Sequence, residues 1–257
     1  DIIARGADVG WFSLEGIMFP AAGVADWTPL TLANGWAEYT DTGGSGYGTP
    51  AWWQDMFGRV WFRGMVKRDG TVPTADSIIA LLPPELDINL QLHFGAAMGG
   101  ATPAVDGALD IQKINGPQGD ANYPTLRWKR KGSGTNSTTW VSLAGIMYTP
   151  KTHEAMVNIA YENGWAASSA VQPGQQFQLH RDGLVQLQGL IVPGTIGPSV
   201  SSGTVPEGAR PDNRRLFSVP RFNAFGRTDV TSGGAIIQSF GTSSFSTLNG
   251  INYLAGN

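Results

Sequence analysis

Leu143-Ala144-Gly145-Ile146-Met147-Tyr148 and Leu248-Asn249-Gly250-Ile251-Asn252-Tyr253 are two spellings of one string. A third stands at Leu14-Glu15-Gly16-Ile17-Met18-Phe19, and an aromatic residue precedes each: Trp11 and Phe12, Trp140, and Phe245. Such recurrence marks a repeated structural unit, and other pairs flank it. Asn34-Gly35-Trp36-Ala37 matches Asn163-Gly164-Trp165-Ala166. Gly58-Arg59-Val60-Trp61-Phe62-Arg63-Gly64 matches Gly183-Leu184-Val185-Gln186-Leu187-Gln188-Gly189. Leu82-Pro83-Pro84-Glu85 matches Val205-Pro206-Glu207, and Gly107-Ala108-Leu109-Asp110-Ile111 is set against Gly234-Ala235-Ile236-Ile237-Gln238. The landmarks keep their order, which predicts two copies of one domain, at 21–148 and 149–257. Residues 1–20 then read as a leading strand from a preceding element.

The landmarks read as strands. Val185-Gln186-Leu187-Gln188 alternates apolar with polar, as does Val141-Ser142-Leu143 after Trp140, the period of a half-buried strand. The Asn-Gly pairs predict tight turns with positive φ, and Asp69-Gly70 and Asp182-Gly183 fit turns between strands. Residues 123–130 and 138–146 flank a Gly-Ser-Gly segment and read as a hairpin. Short helices are considered only near 75–81 and 152–160. Composition agrees with strands and turns: 35 Gly and 16 Pro punctuate the chain, and only 14% of residues are charged, too few to wet the outer faces of many helices. Nine Trp and eleven Phe supply core volume. The expected fold is all-β, two tandem repeats of an antiparallel β-sandwich.

Composition also narrows function. A net charge of −3 argues against a general nucleic-acid binder. The absence of cysteine excludes disulfides, a Cys-based zinc site and a thiol nucleophile. No apolar run approaches the ~18 residues of a membrane span, and no signal peptide is visible. Starting at Asp1 rather than Met, the chain reads as a fragment or a processed product.

The landmark order resembles domains of bacteriophage minor tail and receptor-binding proteins of the tail tip or baseplate. The second copy carries the closest match: Gly183, Val185, Leu187 and Gly189, then Val205-Pro206-Glu207-Gly208-Ala209-Arg210-Pro211, then Leu248 to Tyr253. The first copy departs from it, because Leu82-Pro83-Pro84-Glu85-Leu86-Asp87 lacks the Arg-Pro. The resemblance implies tandem β-sandwiches in a homotrimer within the virion, at the tail tip or fibre. It also implies contact with other tail proteins and attachment to a host cell-surface polysaccharide or glycan. A structural scaffold is the first alternative, and a polysaccharide-degrading enzyme the second.

No motif carries catalysis. His93, His153 and His180 lack metal-ligand spacing, and His180 beside Asp182 reads as a solvated strand end. Ser142 and Ser246 lie in strands rather than in a nucleophile elbow. Asp106 with Asp110, or Asp41 with Asp55, would have to meet in space to serve glycoside hydrolysis. The chain is therefore read as non-enzymatic, with no cofactor and no metal. The candidate ligand-binding residues are Tyr47, Trp53 and Asp55, with Arg127 and Lys129. The first three lie in a loop four residues longer than its counterpart in the second copy. Alignment on the following glycine sets Phe177 against Trp52 and Gln178 against Trp53, so Trp52 points to the core and Trp53 outward. The rival reading for Trp53 is a subunit interface, which the rarity of ligand pockets favours. Arg127, Lys129 and Lys131 alternate along one strand as a basic face for anionic envelope polymers, with Trp128 inward; a merely solvated face is the competing reading.

Overall fold

The computed structural model describes residues 18–20, 23, 25–40, 47–68, 76–96, 98–100, 107–114, 123–129, 138–153, 155–221, 224–240 and 245–256. The first half forms β1 (Thr28–Pro29), β2 (Trp36–Glu38), β3 (Ala51–Gln54), β4 (Val60–Arg63), β5 (Met65–Arg68), β6 (Ser77–Leu81), β7 (Leu92–Ala96), β8 (Met98–Gly100), β9 (Gly107–Ile114), β10 (Tyr123–Lys129), β11 (Thr138–Ser142) and β12 (Met147–Tyr148). The second forms β13 (Val157–Asn158), β14 (Ala166–Ala167), β15 (Gln176–Leu179), β16 (Leu184–Gln188), β17 (Leu190–Val192), β18 (Ser201–Thr204), β19 (Arg215–Arg221), β20 (Ala224–Val230), β21 (Ala235–Phe240), β22 (Ser246–Thr247) and β23 (Asn252–Leu254). Single 3-10 turns stand at Pro84–Leu86 and Glu207–Ala209. The chain is all-β, with antiparallel sheets in a sandwich-like arrangement.

The halves share one strand order. The first has sheets β1-β3-β4-β12, β2-β5-β11-β8 and β6-β10-β9-β7. The second has β13-β15-β16-β23 and a seven-stranded sheet, β14-β17-β22-β19-β20-β21-β18. Replacing each strand by its counterpart converts one set into the other. The difference is that β7 and β8 together correspond to the single strand β19, which fuses two sheets into one. Local bonds repeat as well. Asn34 and Asn163 donate their side-chain amides to Ile78 O in β6 and Ser201 O in β18, aligned positions of the two halves. Tyr148 and Tyr253 donate their hydroxyls, each at 2.8 Å, to Leu86 O and Ala209 O on the 3-10 turns.

Each half has its own apolar core. The first gathers Trp36, Val60, Leu109, Leu126, Trp128 and Tyr148 among others. The second gathers Trp165, Val185, Phe217, Ile236 and Tyr253. Each large apolar side chain buried this way contributes about 1.5–3 kcal/mol. The Asn-Gly turns have the expected geometry, with φ of 52° and 77° at Asn34 and Gly35 and of 51° and 80° at Asn163 and Gly164.

Several expectations need correction. Residues 77–81 form a strand rather than a helix, because Ile79 and Ala80 pack into the core while the backbone pairs with β10. Residues 151–153 turn, with His153 N bonded to Pro150 O at 3.1 Å, and the chain then enters β13. The strands at 123–129 and 138–142 are not a hairpin. Strand β10 lies between β6 and β9, whereas β11 lies between β5 and β8 in another sheet. The last landmark pair does not occupy equivalent strands. Strand β21 pairs with β18 as β10 pairs with β6, each with a register shift, so Gly234–Gln238 answers to β10. The counterpart of β9 is β20, which sets Asp110 against Asp229; both are fully buried. The Asp69-Gly70 turn lies outside the described residues.

Candidate binding cleft at the domain seam

Strand alternation on β3 and β4 sends Trp52 and Phe62 toward the core and Trp53 and Trp61 to the opposite face. Trp53 and Trp61 are a cross-strand pair, and the register Trp52↔Phe62 repeats as Phe177↔Leu187 in the second half. The face carrying Trp53 turns to the other sandwich rather than to open solvent. Trp61 and Met147 pack with Leu184 of β16, and Met18, Trp27 and Trp53 lie against this cluster. Trp53 meets Trp27 with ring centroids 6.1 Å apart.

Asp55 organises the turn between β3 and β4. Its Oδ1 accepts from Phe57 N at 2.9 Å and Arg59 N at 3.0 Å. Its Oδ2 accepts from Arg59 Nε at 2.6 Å and Trp61 Nε1 at 3.0 Å. Both oxygens are engaged within the protein, so the expected bidentate acceptor for sugar hydroxyls is replaced by a structural carboxylate. Arg59 also reaches across the seam, with Nη1 2.7 Å from Asp182 Oδ2. Its guanidinium lies 4.8 Å from the Phe57 ring centroid and 5.7 Å from that of Trp61.

Above this cluster opens a cleft of about 660 Å³. Its walls include Trp53, Phe57 and Trp61 from the first sandwich and Asp182, Leu184 and Leu254 from the second. At its rim Phe19 is 73% exposed, Met56 90% and Leu254 63%. Exposed apolar side chains gathered around one cleft, rather than scattered singly, are a feature of interaction sites. A smaller cavity of about 260 Å³ lies elsewhere between the halves, among Leu92, Thr149, Lys151, His153, Gln176 and Gln188.

The other candidates lie apart from the cleft. Tyr47 is half exposed and packs on Tyr39, which in turn meets Trp140; none of the three lines the cleft. Trp128 points inward, as expected. Lys129 pairs with Asp76 at 2.9 Å and approaches Asp110 at 3.7 Å, so it is already balanced by carboxylates. Arg127 is paired in register with Asp110 of the neighbouring β9, and Lys131 lies outside the described residues. The structure thus brings Trp53 and Asp55 together and leaves Tyr47, Arg127 and Lys129 elsewhere.

The environment of His180 differs from the solvated reading. His180 is buried, and burial followed by the charge of Arg59 holds its pKa below the usual value. His93 is buried with Nδ1 2.5 Å from Asp110 Oδ1, and its carbonyl accepts from Thr247 Oγ1 and Asn249 Nδ2 of the other half. Asp41 and Asp106 lie outside the described residues. Sequence reasoning missed Arg59, Asp182 and Leu184. The available signal was asymmetry within the repeat: Phe57 aligns with Asp182 and Arg59 with Leu184, so the copies diverge where they meet. Comparison with family models, curated proteins and solved structures gave no match.

Proposed function

We propose that this chain is a non-catalytic attachment protein of a bacteriophage tail tip, homotrimeric in the virion, that binds a host cell-surface polysaccharide. The observation that carries the binding reading is the cleft of about 660 Å³, whose aromatic walls lie beside Arg59 and Asp182. Its volume falls in the ~300–1,000 Å³ range of ligand sites. Flat aromatic faces suit the C–H faces of sugar rings, and Asp182 can accept from hydroxyls. The phage setting is supported by the order of the sequence landmarks. A trimer would present three clefts together, which compensates for weak single contacts.

The exposed rim of Phe19, Met56 and Leu254 also favours a second reading, a scaffold that docks another tail protein. The test uses Phe19→Ser with Met56→Ser, two exposed positions whose loss leaves both cores intact. Adsorption of the chain to host cells and cell-wall polysaccharide should fall roughly tenfold or more, in line with losing about 1.4 kcal/mol or more of contact. Light scattering should still give three times the chain mass. Undiminished adsorption overturns the glycan reading. Undiminished adsorption with a lost trimer favours the scaffold.

A further inference from the structure

The charges and rings of the cleft specify more than a generic sugar surface. Among the lining residues the two carboxylates of Asp55 and Asp182 oppose the single guanidinium of Arg59, which leaves the lining net negative. Arg59 is committed to both carboxylates and is itself buried, so it is held in place rather than offered to a ligand. Asp182 is the acid that reaches solvent, with 29% of its side chain exposed. The aromatic surface already accepts cations of the chain itself. Arg59 lies over Phe57 and Trp61, and Arg63 lies over Trp27, the ring in contact with Trp53, at 4.6 Å. Phe19 and Trp53 remain as cleft-lining rings with no such partner among the described residues.

An anionic or neutral sugar would meet a negative, aromatic and thioether-lined wall. An organic cation would meet favourable field, ring quadrupoles and the polarisable Met18 and Met56 sulfurs together. We infer that the cleft selects an organic ammonium group, such as a choline or amino-sugar substituent of a surface polymer, seated between Phe19 and Trp53 and facing Asp182. This rests on the attachment reading above and names the chemical class that the same cleft takes.

The test is calorimetric titration of the full chain with choline, glucosamine and dimethylbutanol, the neutral isostere of choline. Choline should bind about tenfold more tightly than the isostere. Phe19→Ala, at a largely exposed position, should weaken choline by roughly three- to thirtyfold. Asp182→Asn keeps an acceptor for Leu184 N and should reduce the preference over the isostere. Glucosamine binding without choline binding would assign the amino sugar as the source of the ammonium, and the reverse would assign choline. Equal binding of choline and its isostere, or no binding of either cation, overturns the inference. If neutral wall polysaccharide still adsorbs through the rim residues in that case, the attachment reading stands and only the ammonium selectivity falls.

Discussion

Gly164 follows Asn163 in a turn where both residues have positive φ. A Cβ there would find room, with Gly194 Cα its nearest neighbour at 3.7 Å, so the objection to a side chain is backbone strain. Valine is the least tolerant choice, because its branched Cβ crowds the carbonyl in the left-handed region. Gly164→Val should therefore destabilise the chain by about 2 kcal/mol, read as a lowered urea midpoint. His180 makes a different residue-scale case. Burial, then the charge of Arg59, depresses its pKa below the usual 6.5. The unfolded chain takes up a proton near that value and the folded chain does not, so stability is complete above it and declines as the pH falls through it. Between about pH 7 and pH 5.5 the wild type should lose stability in urea melts, while His180→Gln should show a flatter profile. A steeper loss in the variant would show that His180 gains rather than loses protonation on folding.

At the scale of elements, the device common to both halves is a strand-to-turn latch. Tyr148 on β12 and Tyr253 on β23 each close a 3-10 turn through a buried hydroxyl. Burial pushes both phenols far above their ordinary pKa, so they remain donors at any working pH. Tyr253→Phe keeps the ring but leaves Ala209 O without this donor, and should cost about 1–3 kcal/mol in thermal or urea unfolding. An unchanged midpoint would mean that another group or water replaces the bond. Much of this scale was legible in the sequence. The repeated Tyr and Pro-Glu strings mark both ends of the latch, and alternation assigned Trp52 inward and Trp53 away. Pairing was less legible, since β10 and β11 look like a hairpin from their sequence and serve different sheets.

At the scale of the molecule, the two sandwiches meet through unlike faces of like sheets. The first contributes Trp53, Trp61 and Met147. Aligned positions in the second are Gln178, Gln186 and Asn252, all buried. Gln186 accepts from Thr149 at 2.9 Å, and Arg59 bridges to Asp182. The two copies carry different residue types at this contact, apolar and aromatic on one side and amide on the other, so one fold supplies both a core scaffold and a seam with its own chemistry. The proposed attachment site lies there because the outer rings of one sandwich and the turn acid of the other are brought into one cleft.

The sequence by itself determined the strand content, the Asn-Gly turns, the repeat of the halves and the inward or outward sense of Trp52, Trp53 and Trp128. These depend on local backbone sterics and on a two-residue period, both contained within a few adjacent residues. Only the tertiary structure decided that Asp55 is consumed by its own turn, that Lys129 is matched by Asp76, and that outward Trp53 faces a second sandwich. Those outcomes depend on which distant groups compete for the same partner. Arg59 and Asp182 sit far apart in the chain and meet only because two complete sandwiches pack face against face.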